Sequence, residues 1–231
     1  QEDKKFKTGN GFELLEGDHN LVNKIIASLY KHNVKFNDIT VLTPFNKDIQ
    51  SINDYARKIF LKDSEIFEYD NRQFVVGDRL MQTVNVYNEE TVVMNGEEGN
   101  IQSIDKNGLT IFYNKDKIIE YKWCHDKKLT KKEKSENEEE KSEKEFFSCD
   151  LKHSFTKTVH KSQGSEYLYV IFYLPKATNN SDFVNINLLY TAITRAKKTI
   201  WLVCDKNSLY KALNTNIKEQ FDRLSFRLRE L

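Results

Sequence analysis

Three short runs constrain this chain more than anything else in it: ITVLT at 39–43, YVIFYL at 169–174 and TIWLVC at 199–204. Each is apolar, rich in β-branched or aromatic residues, and too short for a buried helix, so each reads as a buried strand. Segments with helical spacing lie between them. Gly17-Asp18 is a plausible helix start, and Leu21, Val22, Ile25, Ile26, Leu29 and Tyr30 recur on one face after it. Ile49, Ile52, Tyr55, Ala56 and Ile59 do the same after ITVLT, and Leu188 to Lys197 predicts a further helix. With a strand candidate at Phe12–Leu15, the alternation of strand and helix predicts an α/β domain built on a parallel sheet.

The middle of the chain changes character. From Phe74 to about Tyr121, short alternating segments are separated by the turn signals Asn95-Gly96, Gly99-Asn100 and Asn107-Gly108. That pattern predicts a small antiparallel barrel or ribbon interrupting the α/β domain. Asp126 to Glu145 mixes both charge signs with almost no apolar residue. Nothing in it could bury enough surface to order it, so a solvated run is expected rather than a lysine-rich nucleic-acid contact. Residues 1–11 read as a polar tail or linker. Beyond Asn214, Ile217, Phe221, Leu224, Leu228 and Leu231 predict an amphipathic helix packed on the parent domain.

Composition excludes more than it identifies. Hydrophobic residues at 39% and charged residues at 31% describe a soluble globular chain. No stretch approaches the roughly 18 apolar residues of a membrane span, and no signal-peptide pattern opens the chain. Because Gln1 is not an initiator Met, a fragment of a longer protein is expected. Cys124, Cys149 and Cys204 are far apart with no CxxC pair, so no zinc site or disulfide frame is expected, and an intracellular setting is. The net charge of +1 decides nothing about nucleic acid, because local patches matter more than the total.

Two segments carry chemistry-bearing residues. In TVHKSQGSE, just before the YVIFYL strand, the hydroxyls of Thr158, Ser162 and Ser165 stand beside His160, Lys161, Gln163 and Gly164. Hydroxyls, a basic pair, an amide and a glycine permitting close backbone approach suit a phosphate-facing loop, although an ordinary polar loop has the same composition. In NLLYTAITRAKK the helix would bury Leu188, Leu189, Ala192 and Ile193. Thr191 and Arg195, four apart, would then share a face. A lone helical arginine is usually a solvated one; it gains interest only beside the loop.

Taken together and in order, these segments resemble a known family. TVHKSQGSE is similar to motif V and LLYTAITRAKK to motif VI of superfamily 1 helicases, most closely the RecD-like branch of superfamily 1B. VLTPFNKD at 41–48 is similar to motif IV, and VGDRLMQTVNVYNEETVVMNGEEGNI from Val76 resembles the region leading into that family's β-barrel insert. The resemblance implies the second RecA-like motor domain, formed by 1–94 and 151–231, with an SH3-like barrel inserted at 95–150.

The family also implies roles. ATP would sit between two RecA-like domains, with Mg²⁺ held by the other one. Arg195 would be the arginine finger that stabilises charge on the γ-phosphate. Gln163, Gly164 and Glu166 would line the nucleotide side together with Lys47, although Lys47 stands where relatives often carry Arg and cannot make the bidentate fork. Thr43, Pro44, Thr158, His160, Lys161 and Ser162 would face single-stranded DNA. None of the 8 glycines is followed by Lys and no Asp-Glu pair occurs, so the phosphate cradle and the metal box are expected on an N-terminal RecA-like partner domain. The fragment alone is therefore expected to be inactive, and 5′ to 3′ polarity is expected from the family. An RNA helicase of superfamily 1, or a degenerate binding and assembly module, are the alternatives.

Overall fold

The computed structural model describes residues 6–8, 11–87, 91–114, 116–124, 146–176 and 183–215. The chain begins with β1 (Phe6–Thr8), β2 (Phe12–Glu16), α1 (His19–Lys31), β3 (Ile39–Thr43) and α2 (Ile49–Phe60). A run of strands follows: β4 (Ile66–Tyr69), β5 (Arg72–Val75), β6 (Arg79–Gln82), β7 (Val86–Tyr87), β8 (Val92–Val93), β9 (Glu98–Ile104), β10 (Gly108–Asn114) and β11 (Lys117–Lys122). Last come β12 (Leu151–His153), β13 (Thr156–Thr158), β14 (Tyr167–Leu174), α3 (Ile186–Ile193), β15 (Ala196–Cys204) and α4 (Lys206–Asn214).

The expected parallel α/β sheet is present. Its six strands run in the order β1-β2-β15-β14-β3-β13, parallel throughout except where β1 pairs antiparallel with β2. Alternate side chains go to opposite faces, as a period of two requires. Leu42, Val170, Phe172 and Leu202 pack on one face with α3, α4 and the buried Val159. Val41, Ile171, Tyr173 and Val203 pack on the other with Val22, Ile26 and Leu29 of α1 and Ile52 and Ala56 of α2. Both faces are covered, which is why the central strands read as continuous apolar runs.

The antiparallel module is a five-stranded sheet in the order β11-β10-β9-β6-β12 around its own core of Phe74, Leu80, Ile101, Ile111, Tyr121, Trp123 and Leu151. It reaches outside the 95–150 span expected for the insert, because β6 and β12 flank that span and pair with each other, Met81 facing Lys152. Asp70 and Asn71, at φ 48° and 55°, turn the β4–β5 hairpin that stacks Phe67 and Tyr69 on Trp123.

Buried polar groups weld the two sheets. Arg79 is buried and donates to the carbonyls of Ile39 (2.9 Å) and Asn37 (3.2 Å). Lys157 of β13 ion-pairs with Glu98 of β9 and donates to the Tyr167 hydroxyl at 2.7 Å. Burial pulls the Lys157 ammonium down to about 7, against the opposing pull of Glu98.

Several expectations need correcting. Part of the supposed N-terminal tail is β1, held by register with β2. The helix expected over Leu188–Lys197 is α3, which ends at Ile193, and β15 begins at Ala196. Thr191 and Arg195 therefore do not share a helical face. The pairing of Tyr167 with Ala196 draws the chain into the sheet at that point. Cys124 and Cys149 form a disulfide across 25 residues, contrary to the expected free thiols, because the bridge between Lys122 and Phe147 brings the two ends together. The charged run at 126–145 and the amphipathic segment from Ile217 to Leu231 lie outside the described residues. No described helix is long and apolar enough to cross a membrane.

Candidate functional site

The candidate residues collect at two edges of the parallel sheet. Thr43 and Thr158 face each other at the ends of β3 and β13, and the Val159 amide donates to the Thr43 carbonyl at 3.1 Å. The chain then crosses over β3 in residues 159–166 and enters β14 at Tyr167, beside the start of β15. One crossover thus touches both edges, which lie ~16 Å apart at the rise of about 3.3 Å per residue over the five residues of β3.

At the carboxyl edge, His160 and Lys161 are exposed, Thr158 is half-buried, and Thr43 and Pro44 are buried. Ser162 is buried, and its hydroxyl donates to the Val159 carbonyl at 2.7 Å, which closes the short turn of the crossover. Lys161 has no ion pair among the described residues. Its ammonium is depressed by its own partial burial and by the charge of Lys152 on β12, so two cations stand near each other there. Lys47 is exposed in the bend between β3 and α2, at this same edge. It is therefore not brought together with Gly164 and Glu166 of the nucleotide-side candidates.

Gln163 stays beside His160, whose carbonyl accepts from the Gln163 backbone amide at 3.3 Å, while Gly164, Glu166 and Arg195 lie toward the amino edge. Gly164 has φ +85° with open space around a would-be Cβ, so the backbone conformation rather than crowding requires glycine. Glu166 pairs with Lys197 at 3.1 Å, both more than half exposed, a contact of little energetic weight. Arg195 sits in the turn between α3 and β15. Its Nε donates to the Thr191 carbonyl (3.1 Å), its Nη1 to the Ser165 carbonyl (3.2 Å) and its Nη2 to Thr194 Oγ1 (3.1 Å). Thr194 Oγ1 donates to the same Thr191 carbonyl at 3.0 Å, so the helix end and the arginine fix each other. Backbone bonds complete the joint, with Tyr167 N–H donating to the Arg195 carbonyl at 2.9 Å. All these acceptors are neutral, and among the described residues no carboxylate pairs with Arg195. The guanidinium is held still with its charge uncompensated and two of its five N–H groups unspent.

Sequence reasoning missed Phe45, Phe183 and Lys152. Phe183 packs against His160 at 5.3 Å and Phe45 at 6.1 Å between ring centroids. Phe183 stands outside any motif, and Phe45, although inside the motif IV segment, carries no signal in the sequence of such a meeting. Among the described residues no group of three or more His, Cys, Asp or Glu could hold a metal ion.

Residues 153–203, which contain the crossover, α3 and Arg195, match the UvrD-like helicase C-terminal domain family. The chain is 34% identical over 67 residues to the RecBCD enzyme subunit RecD of Haemophilus influenzae, covering 29% of this chain and 10% of that one. It is 43% identical over 70 residues to an uncharacterized protein of Methanocaldococcus jannaschii, covering 30% of this chain and 6% of that one. The chain thus spans a tenth or less of these relatives. Among solved structures it is similar to the Pif1 helicase from Bacteroides in complex with ADP-AlF3 and ssDNA, with TM-score 0.49, 18% identity, and coverage of 84% of this chain and 45% of that one. The resemblance to the C-terminal domain of a superfamily 1, RecD-like helicase, read from motifs V and VI, is borne out over the segment that holds both.

Proposed function

We propose that this chain is the C-terminal motor domain of an ATP-dependent DNA helicase of the RecD-like type, working 5′ to 3′ with an N-terminal RecA-like domain that lies outside it. The carboxyl edge of the parallel sheet holds the phosphates of single-stranded DNA. The amino edge presents Arg195 to the γ-phosphate of ATP, whose Mg²⁺ is held by the partner domain. The observation that carries this reading is the state of Arg195: a guanidinium fixed by three neutral acceptors and, among the described residues, without a carboxylate. A surface arginine without a task would be loose or paired. One that must meet charge developing on a phosphoryl group has to be placed beforehand and left electrically unsatisfied.

Gly164 and Glu166 stand on the same edge and complete this side of the nucleotide cleft. The crossover joins the two edges by only eight residues. A shift of the strand at His160 and Lys161 is therefore transmitted along it to the carbonyl of Ser165, which holds the Arg195 guanidinium. Cleft closure and strand movement are coupled through that segment.

Half a cleft does not turn over, so the 231 residues alone should not hydrolyse ATP. The test is Arg195→Ala in the protein joined to its N-terminal motor domain. DNA-stimulated kcat should fall by on the order of 10³-fold while single-strand binding is retained. Normal turnover in that variant, or ATP hydrolysis by the isolated chain, would overturn the assignment.

A further inference from the structure

The crossover and α3 lie on the same face of the sheet and leave a cleft of about 200 Å³ between them, lined by Val159, His160, Gln163, Phe183, Leu188 and Thr191 with Asn185. That is below the roughly 300–1,000 Å³ of pockets that hold drug-sized molecules, and it suits a single flat ring system. Its floor is apolar, from the buried Val159 and Leu188. One wall is the ring of Phe183, which is 47% exposed although it is a large apolar side chain next to a buried core. His160 continues that aromatic surface at 5.3 Å, and Phe45 backs it at 6.1 Å.

The fold explains why these three rings meet. Phe45 follows the carboxyl end of β3, His160 follows that of β13, and Phe183 lies beyond that of β14. Three adjacent parallel strands deliver three connections to one edge, the usual place for a ligand on such a sheet. The same edge carries the exposed Lys161, and Lys152 of β12 in the antiparallel sheet, also exposed, is near enough to act on its charge. An aromatic wall bordered by lysines without an ion pair among the described residues is what a single strand needs, because bases stack while phosphates are neutralised. The Asn185 side-chain oxygen accepts from the Leu188 amide at 3.1 Å and caps α3, so at the rim it is the Gln163 side-chain amide, exposed and with both a donor and an acceptor, that can meet the edge of any base.

We propose that this cleft is a nucleobase site: one base of the bound single strand enters it and stacks on Phe183, with the neighbouring phosphates on Lys161 and Lys152. This deepens the single-strand reading above and rests on it. Stacking is indifferent to base identity, so the site holds the strand without choosing a sequence. Phe183 acts by contact with the base and takes no part in ATP chemistry.

The test uses the 231-residue chain and an oligothymidylate carrying one 2-aminopurine, with circular dichroism to show that each variant is folded. Binding should quench the 2-aminopurine. Phe183→Leu, which keeps an apolar side chain but no stackable ring, should abolish the quench and weaken affinity by on the order of tenfold, with an unchanged salt slope. Phe183→Trp should restore both. Oligonucleotides in which every base is removed should bind wild type and Phe183→Leu equally. If the strand binds and Phe183→Leu binds and quenches like wild type, the base site is refuted and the single-strand reading survives. If the chain binds no single strand at all, both fall together. If free ATP displaces the quenched base, the cleft belongs to the nucleotide and the proposal is equally overturned.

Discussion

The two edges of the parallel sheet carry positive charge in opposite ways. At the amino edge Arg195 is immobilised by three hydrogen bonds from its guanidinium and by the turn that ends α3. Lys161 at the carboxyl edge and Lys152 of β12 are exposed and unpaired among the described residues, and the Lys161 ammonium is depressed by its own partial burial and by the charge of Lys152. A fixed fork suits one geometry at one moment, whereas flexible point charges suit phosphates that pass and are released. The difference follows from position. Arg195 lies where the end of α3 and the crossover turn the Thr191 and Ser165 carbonyls toward it, whereas among the described residues no ion pair holds either lysine.

The contrast is broken most decisively by Arg195. Beyond the alanine variant, Arg195→Lys in the assembled protein should recover little turnover, because an ammonium cannot reproduce the three anchored donors. Near-normal kcat for the lysine variant would mean that charge alone matters at this edge.

A third cation lies between the edges, and it titrates. Lys157 is buried beside Glu98, and desolvation brings its folded-state value to about 7, below the 10.5 of an exposed lysine. Between those values the unfolded chain binds a proton that the folded chain does not, so stability from this group rises as pH increases. The melting temperature of wild type should therefore rise relative to Lys157→Met as pH goes from 7 to 9, measured by thermal scans on both. A gap that narrows over that interval would show Lys157 to be charged in the fold.

Lys161→Ala should act on the other edge only. The log–log salt slope of single-strand binding should fall by about 1, and affinity should drop severalfold, with saturating turnover unchanged. Loss of turnover at saturating strand would show that the Lys161 ammonium itself, and not only the crossover backbone, couples the two edges. The smallest effect belongs to Glu166→Gln. Its pair with Lys197 is exposed on both sides, and a stability change within about 0.5 kcal/mol is expected by chemical denaturation. A larger loss would move Glu166 from the surface into the joint around Arg195.

Legibility followed burial. The runs at 39–43, 169–174 and 199–204 were readable because both faces of each strand are covered, leaving an apolar stretch with no competing pattern. β13, with the sequence TKT, was not readable: its middle residue is a lysine that survives burial through the Tyr167 hydroxyl and through Glu98, 59 residues away. The far limit of the antiparallel sheet was hidden for a similar reason: β6 lies in the stretch from Phe74 whose pattern predicted such strands, whereas β12 is recruited from a segment that looks like motor sequence. In the candidate site, motif order pointed to Arg195 and the crossover. It could not show that α3 stops at Ile193, because the stop is made by pairing with Tyr167, a strand whose partner is remote in the chain.

The sequence by itself determined the class of sheet, the residues of the two motif segments and their order along the chain, since these depend on local pattern and side-chain type. Tertiary structure alone decided that the candidates divide between two edges, that Lys47 falls on the edge opposite Arg195, that Ser162 spends its hydroxyl on its own turn, and that Phe45, His160 and Phe183 meet. Each of those outcomes is a relation between strands brought side by side by backbone hydrogen bonds, and pairing partners far apart in a chain leave no periodic trace in it.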